Sequence, residues 1–317
     1  MKSSKPAQSA LKKLLLKEFR VLEGNENNIK GGNRAEGLHK FRIAVRKTRS
    51  LLRQADSVIS ERTISKYDRE FKYLAQKTCK SRDLDVFLKT LDKFRLSMHD
   101  IPLELHNEIY KYIYNDKINE EKKLLEYLHS ARYTRLKNDW KKILNKPAAN
   151  NNNLNNVDIS IDYVLKKGIN SLYKKMLEQG NNIDINTPCQ KYHDLRKTCK
   201  KLRYLLEYFN DLHTKKNIKS LIKALKNVQD ILGDLQDKRI QIELLDNFMK
   251  SKKQNNSLSD EAVYLIEFLI KTLDEQCLEI KTVYPYIYNE LLDKFNKKNC
   301  SNIIVKNKIA NNRKLAN

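Results

Sequence analysis

One fifteen-residue pattern occurs twice in this chain, 154 residues apart, and a fold must accommodate both copies. The first is His39-Lys-Phe-Arg-Ile-Ala-Val-Arg-Lys-Thr-Arg-Ser-Leu-Leu-Arg53, and the second is His193-Asp-Leu-Arg-Lys-Thr-Cys-Lys-Lys-Leu-Arg-Tyr-Leu-Leu-Glu207. At the helical repeat, His39, Arg42, Arg46, Arg49 and Arg53 share an arc of about 80°, with Phe41, Ala44, Val45, Leu51 and Leu52 opposite. In the second copy His193, Arg196, Lys200 and Arg203 form the basic stripe, and Leu195, Cys199, Leu202, Leu205 and Leu206 the apolar one. The same offset pairs Ile64 with Ile218, Phe71 with Leu225, Asp83 with Asp237, Leu91 with Leu245 and Phe94 with Phe248. Apolar positions matching over about 60 residues indicate an internal duplication, whose halves commonly pack about a pseudo-twofold axis. Beyond residue 100 the register blurs; Trp140 falls opposite Lys294, with Phe295 one place on.

With only seven Gly and five Pro in 317 residues, long helices are favoured over a turn-rich β protein. The periodicity predicts helices over 6–22, 37–57, 61–78, 82–97 and a long region 101–144, then over 159–178, 189–211, 215–231, 235–252 and 259–296. Strand-type alternation is absent, apart from runs such as Tyr284-Pro-Tyr-Ile-Tyr288. The expected fold is therefore all-α, two helical bundles. Residues 1–144 form the first half, 145–158 an Asn-rich linker, 159–297 the second half and 298–317 a basic, frayed tail.

Five cysteines without CxxC spacing indicate neither a disulfide framework nor a zinc site. No signal-like leader or apolar run long enough to span a bilayer is present, so a cytoplasmic protein without membrane insertion is expected. The net charge of +24 calls for bound anions to offset self-repulsion. A Lys- and Asn-rich composition accounts for part of that charge, so its placement carries more than its sum.

Two rows of cations, each backed by a core-facing stripe, form a surface for a polyanion. Arg offers a planar fork for two phosphate oxygens and Lys a mobile point charge. Side chains three and four apart stand about 5–6 Å from one another, so a linear anion can touch them in succession. His39 and His193 are placed to cap each stripe and donate to phosphate, or else to order Arg side chains or bond a carboxylate such as Asp83. Lys40, Lys47, Lys197 and Lys201 flank the stripes as a rim. Arg69 with Lys223, and Lys72 with Lys226, extend the basic wall, unless they are simply solvated. Asp83 and Asp237 are expected to pair with stripe arginines and fix their rotamers. No Gly-rich phosphate loop, HExxH or nucleophile–base arrangement is visible, and no cofactor or metal is expected.

These segments resemble the CHAD domain family, named for a conserved histidine in an all-helical domain. The resemblance rests on the two His-x-Leu/Phe-Arg segments, on Arg82-Asp83-Leu84-Asp85-Val86, and on Leu225 to Asp237 with Gln229 and Leu232-Gly233. It extends to Leu128-His-Ser-Ala-Arg-Tyr-Thr-Arg-Leu136 with Trp140, which brings Arg132 and Arg135 in as candidates. It implies two antiparallel four-helix bundles around a basic cavity, and binding of inorganic polyphosphate rather than catalysis, in some settings at polyphosphate granules. Phosphate or sulfate ions would fit the same site. The Glu-x-Glu-x-Lys signature of the triphosphate-hydrolysing domain sometimes fused to the family is missing. Lys200 in place of an Arg, and Glu207 opposite Arg53, predict weaker phosphate binding at the end of the second stripe. The alternatives are a nucleic-acid-binding helical protein and an enzyme of polyphosphate or nucleotide metabolism, for which Asp83 with Asp85, or Asp234 with Asp237, would have to hold magnesium.

Overall fold

The structure, a computed structural model, describes residues 6–31, 34–56, 58–97, 102–146, 159–213, 216–253 and 258–296. Ten α-helices account for nearly all of them: α1 (Ala7–Lys30), α2 (Arg34–Leu52), α3 (Glu61–Lys77), α4 (Cys79–Ser97), α5 (Leu103–His129), α6 (Ala131–Asn145), α7 (Ile161–Gly180), α8 (Cys189–His213), α9 (Lys216–Lys253) and α10 (Asp260–Asn296). The fold is all-α, as the periodicity predicts. Among the described residues the only β-type pairing is an isolated bridge between Pro6 and Ser160. The expected tail at 298–317 and all of the expected linker except residues 145 and 146 lie outside the described residues.

Helix ends depart from expectation where tertiary contacts decide them. The first helix runs eight residues past 22 because Asn25, Glu26 and Ile29 continue its buried face. Glu26 there accepts from Tyr133 Oη at 2.9 Å and from Lys137 Nζ at 2.8 Å, which ties α1 to α6. The long region 101–144 is two helices, because the Ser130 hydroxyl caps α6 by accepting from the Tyr133 amide. Conversely, 215–231 and 235–252 are one helix, α9, which passes through Gly233 without a break. Tyr284 to Tyr288 lies inside α10, not in a strand: both tyrosines are buried, and Tyr288 Oη donates to the Met176 carbonyl at 3.0 Å. Gly180 permits this close approach of α7 to α10, since a Cβ there would collide with the Tyr288 ring.

The core of the first half centres on Trp140, whose ring lies 4.7 Å from Tyr67 and 5.4 Å from Phe71. Consecutive helices pack as neighbours, α1 on α2, α4 on α5, α7 on α8 and α9 on α10. Between the halves, α1 packs on α7, α2 on α8 and α4 on α9. Lys47 reaches across from α2 to Glu207 at 2.9 Å, and Gln241 Nε2 on α9 donates to Thr90 Oγ1 on α4 at 3.0 Å. The two His-bearing helices are thereby held face to face.

Candidate functional site

The apolar stripes of α2 and α8 are fully buried, with Phe41, Ala44, Val45, Leu51, Leu52, Leu195, Cys199, Leu202, Leu205 and Leu206 all shut off from solvent. Their burial fixes the rotation of each helix and turns the basic stripes toward the space between them. There His39, Arg42 and Arg46 of α2 meet His193, Arg196 and Lys200 of α8, with Arg82 and Asp83 from α4 and Asp237 from α9.

Arg42, itself buried, donates from Nη1 to Thr78 Oγ1 at 3.0 Å and from Nη2 to Cys79 Sγ at 3.5 Å, at the α3–α4 break. Arg196 donates from Nε to the Gln229 carbonyl at 3.4 Å, and its guanidinium lies against the backbone of Gly233, where a Cβ would come within 2.9 Å of Nη2. Cys79 and Gly233 are themselves 154 residues apart. Arg46 and Lys200, further along the stripes, make no hydrogen bond or ion pair among the described residues. Burial first, and then the charges of Arg196, Arg46 and Arg42, push the Lys200 ammonium down to about 6. Burial and neighbouring cations also lower His39, which faces Arg82, Arg42, Arg46 and Lys200, and His193, which faces Lys197, Arg196 and Lys200. This is a site short of negative charge.

Asp83 and Asp237 do not make the expected ion pairs. Among the described residues neither comes within ion-pair distance of an Arg or Lys, although arginines surround both. Burial outweighs that attraction and raises both carboxyls, so the arginines are oriented by Thr78, Cys79 and Gln229 instead. No hydrogen bond joins either histidine to Asp83, and His193 Nδ1 is buried without a partner. Asp85 pairs instead with Lys117 at 2.8 Å and Asp234 with Lys238 at 3.5 Å, so the two aspartate pairs are divided between different partners. Among the described residues no three His, Cys, Asp or Glu side chains converge as a metal site.

Other candidates separate into groups. Arg49 and Arg53 share Asp68, at 3.0 and 3.2 Å. Beside them Lys201 is pushed down to about 8 by burial and then by Arg53, Lys175, Arg49 and Lys197, forming a second cationic cluster. Lys47 is an inter-helix strut rather than a rim residue: it pairs with Glu207 and lies over the rings of Tyr204 and Tyr208. Arg203 pairs with the same Glu207 at 3.4 Å. Lys40 and Lys197 pair with Glu36 and Asp194 on their own helices. Arg69, Lys72, Lys223 and Lys226 are exposed on α3 and α9. Arg132 and Arg135 line a different groove, with Lys66, Tyr67, Glu70 and Asp139. There Arg132 is held by both oxygens of Glu70 and stacks 4.0 Å over Tyr73.

Arg82 and Lys175 join the clusters unannounced by the sequence pattern. Gln236 and Val21 stand at their positions in the other half, so a search for cations shared by both copies passes over them.

The model of the CHAD domain family matches residues 13–246. The chain belongs to the CHAD domain family. Its fold is similar to that of the CHAD domain from the plant Ricinus communis, with a TM-score of 0.73 over 92% of this chain and 93% of that one at 21% identity. It is also similar to PptA from Streptomyces chartreusis, with a TM-score of 0.70 over 90% of this chain and all of that one at 10% identity. No curated protein sequence matches the chain significantly. No helix among the described residues is long and apolar enough to cross a membrane.

Proposed function

We propose that this CHAD domain binds inorganic polyphosphate between α2 and α8 and acts as a binding module rather than as a catalyst. The observation that carries the reading is the unpaired cluster of Arg46 and Lys200, flanked by Arg42, Arg82 and Arg196, in a partly buried site. Basic groups crowded together out of water repel one another strongly enough to push the Lys200 ammonium toward its neutral form, and a multivalent anion relieves that repulsion. Packing of helices that correspond at the 154-residue offset, α1 on α7 and α2 on α8, supports the duplication that gives the anion two facing stripes. A phosphate polymer has no bases to read, and this cluster presents cations without an exposed aromatic platform, since Tyr204 and Tyr208 are buried. That favours polyphosphate over nucleic acid. Binding of this kind would let the domain associate with polyphosphate granules in the cytoplasm.

The test is an equilibrium titration with long-chain polyphosphate, competed with single-stranded and duplex nucleic acid at matched phosphate. Preference for polyphosphate is expected, with free phosphate or sulfate competing weakly. Equal affinity for nucleic acid would leave a general polyanion binder. Added magnesium should produce no polyphosphate hydrolysis; turnover that survives loss of both stripes would refute the assignment.

A further inference from the structure

The seam between α2 and α8 has two corresponding sides of opposite electrostatic character. At the 154-residue offset Lys47 corresponds to Lys201, and Glu207 to Arg53. On one side Lys47 pairs with Glu207 at 2.9 Å and lies over the rings of Tyr204 and Tyr208. Against the effect of burial, Glu207 and then Glu18 hold it above the usual lysine range. On the other side each of those partners is exchanged: Arg53 stands in place of Glu207, Ser50 of Tyr204, Gln54 of Tyr208 and Leu172 of Glu18. Lys201 therefore faces Arg53, Lys175, Arg49 and Lys197 where Lys47 faces carboxylates. Asp68 takes Arg49 and Arg53, and Asp194 takes Lys197. Lys201 and Lys175 are left without an ion pair among the described residues. Like charges held together across a packed seam oppose its closure unless an anion lies between them. Arg53, Lys175 and Lys197 are exposed and Lys201 is half-buried, so this side opens to solvent. It also adjoins the inner cluster, since Lys201 follows Lys200 and Arg49 lies about one turn beyond Arg46.

We propose that a phosphate chain held between α2 and α8 leaves the inner cluster on this side alone, its next units bound by Lys201, Lys175, Arg53 and Arg49. The Lys47–Glu207 side is closed to it, because Glu207 repels phosphate there and already engages both Lys47 and Arg203. The inference rests on the polyphosphate reading and adds to it a direction and a length requirement. A short oligophosphate fills the inner cluster, and only a longer chain reaches the outer one.

The experiment compares the full chain with its Lys175→Gln, Lys201→Gln variant in affinity for long-chain polyphosphate and for tripolyphosphate. Wild type should bind the long chain more tightly than tripolyphosphate. The variant should lose about tenfold toward the long chain, with a salt slope smaller by about two, and less than about twofold toward tripolyphosphate. Its Tm should not fall, because it loses cations that repel one another. Labelling of lysine amines by an N-hydroxysuccinimide ester then locates the chain. The long chain should protect Lys201 and Lys175, and leave Lys17 and Lys47, near Glu18 on the other side, labelled as in the free protein. An equal loss toward both ligands, or no loss toward either, would overturn the outer site and leave the polyphosphate reading in place. Protection of Lys17 and Lys47 equal to that of Lys201 would overturn the single exit. Wild type that binds neither ligand would overturn the polyphosphate reading, and this inference with it.

Discussion

Lys200 is a lysine surrounded by arginines, and its protonation couples ligand, pH and stability. Held near 6 in the free protein, it is mostly neutral at pH 7. A phosphate chain beside it favours the charged form, so binding takes up a proton. Affinity is then greatest below pH 6 and falls as pH rises from about 6 toward the bound-state value. Stability of the free chain runs the other way. An unfolded lysine holds its proton up to 10.5, so protonation opposes folding below 6 and that penalty fades between 6 and 10.5. Titration calorimetry at pH 7.5 in buffers of different ionisation heat should show wild type taking up about one proton more than Lys200→Arg. Equal uptake would remove Lys200 from the linkage. The facing histidines add to it: the His39→Ala, His193→Ala chain should bind more weakly than wild type at pH 6, and equal affinity would exclude them. Gly233 offers a separate test, because its missing Cβ makes room for the Arg196 guanidinium. Gly233→Ala should raise helix stability by up to about 1 kcal/mol, read as a higher Tm, while displacing Arg196 and weakening polyphosphate binding.

At the scale of helices, the second half keeps continuous what the first half breaks. At the 154-residue offset α9 spans both α3 and α4, and α10 spans both α5 and α6. The first break falls at Thr78, whose hydroxyl serves Arg42 and donates to the Ala75 carbonyl at 2.8 Å. The second falls at Ser130, whereas α10 runs on through Pro285, whose missing amide leaves one i→i−4 bond of that helix unmade. Ser130→Ala should therefore cost about 1 kcal/mol, measured by denaturant unfolding, and an unchanged midpoint would show the cap to be idle. The stripes of α2 and α8 were legible in the sequence because burial imposes a period of 3.6 on apolar residues. The passage of α9 through Gly233 was not, because a mid-helix glycine reads as a break until the Arg196 side chain is seen against it. The end of α1 was hidden for a related reason: besides Lys30 on its own helix, Glu26 is held by Tyr133 and Lys137, more than 100 residues away. Periodicity turns the stripes toward a common space, yet it gives no distances, and so Asp83 and Asp237 were expected to pair with arginines that they only approach.

For the whole molecule, α2 and α8 bring together two basic surfaces, each of which alone would be an ordinary solvated face. Their apposition depends on α2 meeting α8, with Lys47 and Glu207 bridging them. On the proposed reading, a polymer of phosphates bound between α2 and α8 would offset part of the net charge of +24 and hold both halves at once. The most direct measurement is the dependence of polyphosphate affinity on salt for wild type and for Arg42→Glu, Arg46→Glu, Arg196→Glu. Wild type should weaken linearly in log Kd against log salt. The variant should bind at least about 100-fold less tightly, with a slope smaller by about one for each lost phosphate contact and with its helical content intact. A folded variant that keeps the wild-type affinity and slope would contradict a site between α2 and α8.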